Sequence, residues 1–157
     1  MKEIFINKNR ACSVTGHRVL HKDFNEDSLK NQFIALIESG IDTFLIGMAI
    51  GFDTACFKIL TRLKESYSQI KLVACVPCKT QPNRYSETQK KEYYEMLDIA
   101  DGIFVLSQEY TARCMQKRNE FMVDNSNILI AYLRRDIGGT ANTVKYAKKV
   151  GIKIIYV

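Results

Sequence analysis

Six short apolar stretches, none strictly alternating with polar residues, limit what this chain can fold into: Ala11–Thr15, Asp42–Ile46, Ile70–Val76, Ile103–Leu106, Ile128–Leu133 and Lys153–Val157. Strands that read as near-continuous apolar runs are buried on both faces, and parallel sheets covered by helices meet that demand. Helical spacing fills the intervals. Leu29, Phe33, Leu36 and Ile37 recur between Glu26 and Ser39, where Gly40 is placed to stop the helix. Ala55, Ile59, Leu60 and Leu63 mark a helix over Thr54–Ser66, and Tyr93, Met96, Leu97 and Ala100 one over Glu87–Ala100. A further helix runs from about Ala112 to Val123, and another follows Gly138 with Val144, Ala147 and Val150 inward. The regular exchange of strand and helix predicts an α/β fold: a Rossmann-like three-layer sandwich around a mainly parallel sheet of about six strands.

With 157 residues, the expectation is one domain over residues 1–157. Hydrophobic residues at 46% and charged residues at 25% fit a globular chain. No apolar run approaches the roughly 20 residues of a membrane span, and the first ten residues lack the apolar core of a secretion signal, so no membrane partner and a cytoplasmic location are expected. A net charge of +6 permits an anionic partner, but no dense basic run with interleaved aromatics occurs, which disfavours nucleic acid. Five scattered cysteines suit a reducing compartment. Cys75-Val-Pro-Cys78 has redox spacing but ends a strand rather than opening a helix, where a thiol would be activated. A zinc site would need a second ligand pair, for which His17 and His21 are the only histidines, and neither metal nor cofactor is expected.

In an open parallel sheet, ligands bind beyond the carboxyl ends of the strands, where strand order reverses. The rule selects Thr15–Arg18, Gly47–Asp53, Pro77–Arg84, Ser107–Tyr110 and Arg134–Thr143. Two of these are glycine turns that open helices. Gly47-Met48-Ala49-Ile50-Gly51-Phe52-Asp53 exposes backbone N–H groups at a helix N-terminus, and Gly138-Gly139-Thr140 offers a second anion site. At the second, backbone amides, the helix dipole and the Thr140 or Thr143 hydroxyl could share a phosphate; alternatively Thr140 only caps its helix. Asp53 either accepts ribose hydroxyls or caps its own helix. Arg18 and Arg84 have the charge to meet an anion, His17 can hydrogen-bond a ligand, and Asn119 and Asp124 could face the crevice. No GxxxxGK[ST] or GxGxxG sequence is present, which removes P-loop hydrolysis and disfavours ordinary hydride transfer. Tyr93 and Tyr94 adjoin on one helix, so one of them can serve a subunit contact, and a homo-oligomer is expected.

Taken together, TGHR at Thr15–Arg18, GMAIGFD at Gly47–Asp53, the Pro77 loop, QKRNEFMVDNS at Gln116–Ser126 and GGTANTVKYA at Gly138–Ala147 resemble the YpsA/YoqJ-like branch of the SLOG superfamily. That superfamily is similar to the DNA-processing protein DprA and to the LOG phosphoribohydrolases. The resemblance implies a nucleotide-derived ligand over the two glycine turns, held by Thr15, Gly16, His17, Arg18, Gly47, Met48, Ala49, Gly51, Asp53, Pro77, Arg84, Arg118, Asn119, Asp124, Gly138, Gly139, Thr140, Asn142 and Thr143. LOG enzymes carry a glutamate after their glycine motif; here Thr143, Val144 and Lys145 supply no carboxylate, which points away from an enzyme, although Glu120, Asp124 or Asp53 could substitute. The expected function is to sequester or sense an ADP-ribose-derived or cyclic nucleotide signal, in antiphage defence or its counter-defence. The alternatives are N-glycoside hydrolysis and DprA-like binding of single-stranded DNA.

Overall fold

The computed structural model describes residues 2–157. Its elements, in order, are β1 (Ala11–Gly16), α1 (Glu26–Glu38), β2 (Thr43–Ile46), α2 (Phe52–Leu63), β3 (Lys71–Val76), α3 (Glu87–Ile99), β4 (Gly102–Val105), α4 (Cys114–Asp124), β5 (Ile128–Tyr132), α5 (Gly139–Val150) and β6 (Lys153–Tyr156). Short 3-10 turns occupy Lys8–Arg10 and Gln81–Arg84. Every strand pair is parallel, in the order β4-β3-β2-β1-β5-β6. The fold is therefore the expected Rossmann-like α/β sandwich. Its order reverses at β1: the chain leaves β1 towards β2 on one side, while β5 returns to pair with β1 on the other.

Successive side chains of a strand point to opposite faces, and the core divides accordingly. Cys12, Val14, Phe44, Ile46, Leu72, Ala74, Ile130 and Tyr132 join α1, α2 and α3 in one apolar cluster. Ala11, Leu45, Val73 and Cys75 pack against Met122, and Leu129 and Ala131 against Val123, Val144 and Ala147, on the face covered by α4 and α5. Phe33 and Phe44 meet edge to face at 5.5 Å between ring centroids, each fully buried, and burial of such a side chain contributes about 1.5–3 kcal/mol. Of the neighbouring tyrosines in α3, Tyr93 enters the core and Tyr94 is left outside.

Helix starts differ in a way that locates the site. α1 is capped by the Asn25 side chain, which accepts the Ser28 N–H, and α3 by a Ser86–Gln89 capping box. α2 and α5 begin at Gly51 and Gly138, each with positive φ and no side-chain cap. α2 also starts two residues earlier than its periodicity suggests, so Asp53 lies inside the helix and Gly51 is its N-cap. Likewise Thr140 is the second residue of α5 and Gly138 its N-cap, so neither Asp53 nor Thr140 caps its own helix.

Candidate functional site

A cleft of about 510 Å³ opens beyond the carboxyl ends of β1 and β5, at the reversal of strand order. Its volume falls within the range typical of small-molecule sites. The end of β1 and the loop after it supply Thr15, Gly16, His17 and Arg18; the turn after β2 supplies Gly47 and Ala49, and the first turn of α2 Asp53; α4 supplies Arg118 and Asn119; α5 supplies Gly139 and Thr140.

The two glycine turns have different roles. At Gly51 (φ +81°) a Cβ would lie 2.2 Å from the Arg18 carbonyl oxygen, so glycine is needed for this approach. The first N–H of α2, that of Phe52, donates to the His17 carbonyl at 3.1 Å, and Asp53 places its carboxylate in the first turn. This helix end is already engaged. At α5 the situation is reversed: a Cβ on Gly139 would meet nothing within 4 Å, and the Arg135 guanidinium stands 3.7 Å from where a Cβ on Gly138 would lie. Unpaired N–H groups at a helix start, a dipole and an adjacent cation together form an anion site.

Asp53 and Arg118 form the floor. Both are buried, each only 6% exposed. The Asp53 Oδ2 accepts the Ala49 N–H at 3.1 Å, bracing the turn. Burial pushes its carboxyl up from 3.8 to about 6, against the opposing pull of the Arg118 guanidinium, the Ala49 N–H and Arg18. Arg118 donates from Nη1 to the Gly47 carbonyl and, at 3.3 Å, to the Cys75 carbonyl, and from Nε to Asn119 Oδ1 at 2.8 Å. It thus clasps the ends of β2 and β3 from α4. Gly47 has no room for a side chain, since a Cβ there would sit 2.7 Å from Arg118 Nη1.

His17 is buried, and its Nε2 accepts the Arg134 backbone N–H at 2.8 Å, which joins the two rims of the cleft. An accepting Nε2 requires neutral imidazole with its proton on Nδ1. Burial lowers its pKa, and Arg135, His21 and Arg134 lower it further.

Several other expected residues lie elsewhere. Met48 and Gly51 line a separate pocket of mixed polarity on the far side of the turn, and Met48 adopts φ 64°. Pro77 is buried and Arg84 is exposed, neither in the cleft lining. The reason is distance within the sheet: β3 is two strands from β1, with strands about 4.8 Å apart, and Arg118 fills the interval. Asp124 is exposed and accepts the Tyr146 hydroxyl at 2.8 Å. The Thr143 hydroxyl donates to the Gly139 carbonyl within α5, and Asn142 lies on the outer side of that helix. Glu120 does not line the cleft, so Asp53 is the carboxylate that does.

The sequence reading overlooked Gln81 and Arg135. Gln81 Nε2 donates to the Gly47 carbonyl at 3.0 Å while its Oε1 accepts the Tyr93 hydroxyl at 3.1 Å, linking the long loop and α3 to the cleft floor. No local pattern announces such a tertiary contact. Arg135 could have been found from its place just before a glycine pair at a helix start.

The five cysteines are free and buried, and burial pushes the thiols of Cys12 and of Cys75, the first member of the CxxC pair, up to about 12, so Cys75 is not an activated thiol.

A profile of the YspA SLOG family matches residues 20–153. The SPbeta prophage-derived protein YoqJ of Bacillus subtilis is 33% identical over 138 residues, covering 77% of this chain and 81% of YoqJ. A UPF0398 protein of Halalkalibacterium halodurans is 26% identical, with 90% of this chain and 77% of that protein covered. Among solved structures, DprA of Helicobacter pylori, described by its single-stranded DNA binding mode, superposes with a TM-score of 0.70 at 14% identity. DprA of Streptococcus pneumoniae does so with a TM-score of 0.65 at 18% identity. Each of these two alignments covers 95% of this chain, which spans 65% of the first DprA chain and half of the second.

Proposed function

We infer a binding function for this cleft in a chain that belongs to the YspA SLOG family. Its ligand is a nucleotide-derived small molecule. The observation that carries this reading is the open start of α5: an uncapped helix N-terminus facing the cleft, free space over Gly139, and Arg135 beside Gly138. A phosphate fits there electrostatically, with Thr140 as a further donor and Arg18 on the opposite rim. Asp53, His17 Nδ1 and Asn119 then offer an acceptor, a donor and an amide to a sugar or base deeper in the cleft.

Capture without cleavage is the better account of the chemistry. The carboxylate that lines the cleft has one oxygen held by the Ala49 N–H, and the start of α5 has no acidic residue. Such a protein sequesters its ligand or reports it to a partner. One observation favours hydrolysis of an N-glycosidic bond instead: the raised Asp53 carboxyl, since a buried, perturbed acid in a cleft is a frequent general acid.

Calorimetry with ADP-ribose, followed by mass spectrometry of the small molecule released on denaturation, separates these readings. Stoichiometric binding with unchanged ADP-ribose recovered supports capture. Free adenine and the ribosyl-diphosphate-ribose remnant of ADP-ribose, formed by wild type but not by Asp53→Asn, would establish hydrolysis. If no nucleotide is bound or co-purified, the ligand class is wrong.

A further inference from the structure

A second site lies on the outer surface, where no carboxylate lines a groove of about 450 Å³ between α4 and α5. Three cations border it from two helices: Arg113 at the start of α4, and Lys145 and Lys149 on α5. Gln116 and Asn142 add two amides, and the Tyr146 ring forms part of the wall. All three cations are exposed, and none is paired with a carboxylate within 4.0 Å among the described residues. The Tyr146 hydroxyl is held by Asp124 at 2.8 Å, which fixes the ring, and its pKa is raised by that bond, by burial and by the Asp124 and Glu120 charges.

Lysines near the end of a helix complement its dipole, which accounts for Lys148 and Lys149. It does not account for Lys145 in mid-helix, nor for Arg113 converging on it from the start of another helix. Like charges gathered across a groove repel one another, and the repulsion is relieved when an anion spans them. Lys145 and Lys149 are four residues apart on one face, about 5–6 Å between Cβ atoms. That interval is commensurate with successive phosphates of an extended single strand. An ordered aromatic ring between cations is what a stacked base uses.

We propose that the α4–α5 groove is a docking surface for a single-stranded phosphodiester chain, with Arg113, Lys145 and Lys149 on its phosphates and Tyr146 beneath a base. The surface is distinct from the cleft: Gly139 and Thr140 face one side of α5, and Asn142, Lys145 and Lys149 the other. Cations separated by more than thirty residues in sequence thus form one patch that no contiguous basic run announces.

The test is fluorescence anisotropy of 5′-fluorescein-dT12 titrated with the protein at several salt concentrations. Wild type is expected to bind at 50 mM salt, and Lys145→Gln/Lys149→Gln to bind at least tenfold more weakly. Each lost phosphate contact should reduce the slope of log K against log salt by about 0.7. Gly139→Leu, which alters the cleft alone, should bind the strand as wild type does, and excess ADP-ribose should not displace it. All side chains changed here are exposed, and circular dichroism checks that each variant is folded. No binding at 50 mM salt, or equal binding by the double variant, would overturn the proposal. So would displacement by ADP-ribose, which would put the strand in the cleft. Because the nucleotide assay reads the cleft alone, either reading can fail without the other.

Discussion

His17 Nε2 accepts the backbone N–H of Arg134 at 2.8 Å, so one buried ring closes the gap between the loops after β1 and β5. The bond exists only while the imidazole is neutral, and its loss leaves a part-buried N–H without an acceptor. His17→Phe keeps a ring but removes the acceptor, and should cost about 1–3 kcal/mol of stability at pH 8.

The same bond sets a pH dependence. A base whose folded pKa is lowered binds fewer protons folded than unfolded, so stability is lost as pH falls below the ordinary value of 6.5. In urea unfolding the stability advantage of wild type over His17→Phe should shrink from pH 8 to pH 5, the Asp53 contribution being common to both. Parallel profiles for the two proteins would contradict the role given to His17.

Asp53 works in the opposite sense. Its folded pKa is raised to about 6, so the folded state holds a proton that the unfolded carboxyl has released above 3.8, and stability erodes as pH rises through that window. Above pH 6 the cost is on the order of 3 kcal/mol. Asp53→Asn keeps an acceptor for the Ala49 N–H and removes the charge. It should be more stable than wild type at pH 8 by about 1–3 kcal/mol and similar to it at pH 4, while binding ADP-ribose more weakly. A thermal-melt difference that does not vary with pH would refute this.

The two glycine turns should respond differently to substitution. Gly139→Leu meets open space and should leave the melting temperature nearly unchanged while weakening ADP-ribose binding at least tenfold. Gly47→Ala pushes against Arg118 and Asp53 and should lower stability by about 1–3 kcal/mol together with binding. Calorimetry and thermal melts on both variants check this; a Gly139→Leu protein that binds normally would remove the anion site from α5.

The thiols give an independent check on the core. All five cysteines are buried, so Ellman's reagent should detect almost none in the native protein and five after denaturation. Rapid native labelling of Cys75 or Cys78 would reopen a redox role.

All six strands and five helices were legible in the sequence, with most boundaries within two residues, because burial on both sheet faces and on one helix face leaves a period that local composition records. Ala11–Gly16 and Ile128–Tyr132 read as buried strands for that reason. That they are neighbours was not written in either: a reversal of strand order depends on the whole packing of helices over the sheet. This one relationship decided the site. It brought His17 to Arg134 and set the start of α5 over the cleft. It left Pro77 and Arg84 outside, and assigned Arg118 to the Gly47 carbonyl. Sequence therefore determined the elements and the kind of edge where a ligand would sit. Only the tertiary structure chose which side chains face that edge, because direction and burial arise from contacts between segments far apart in the chain.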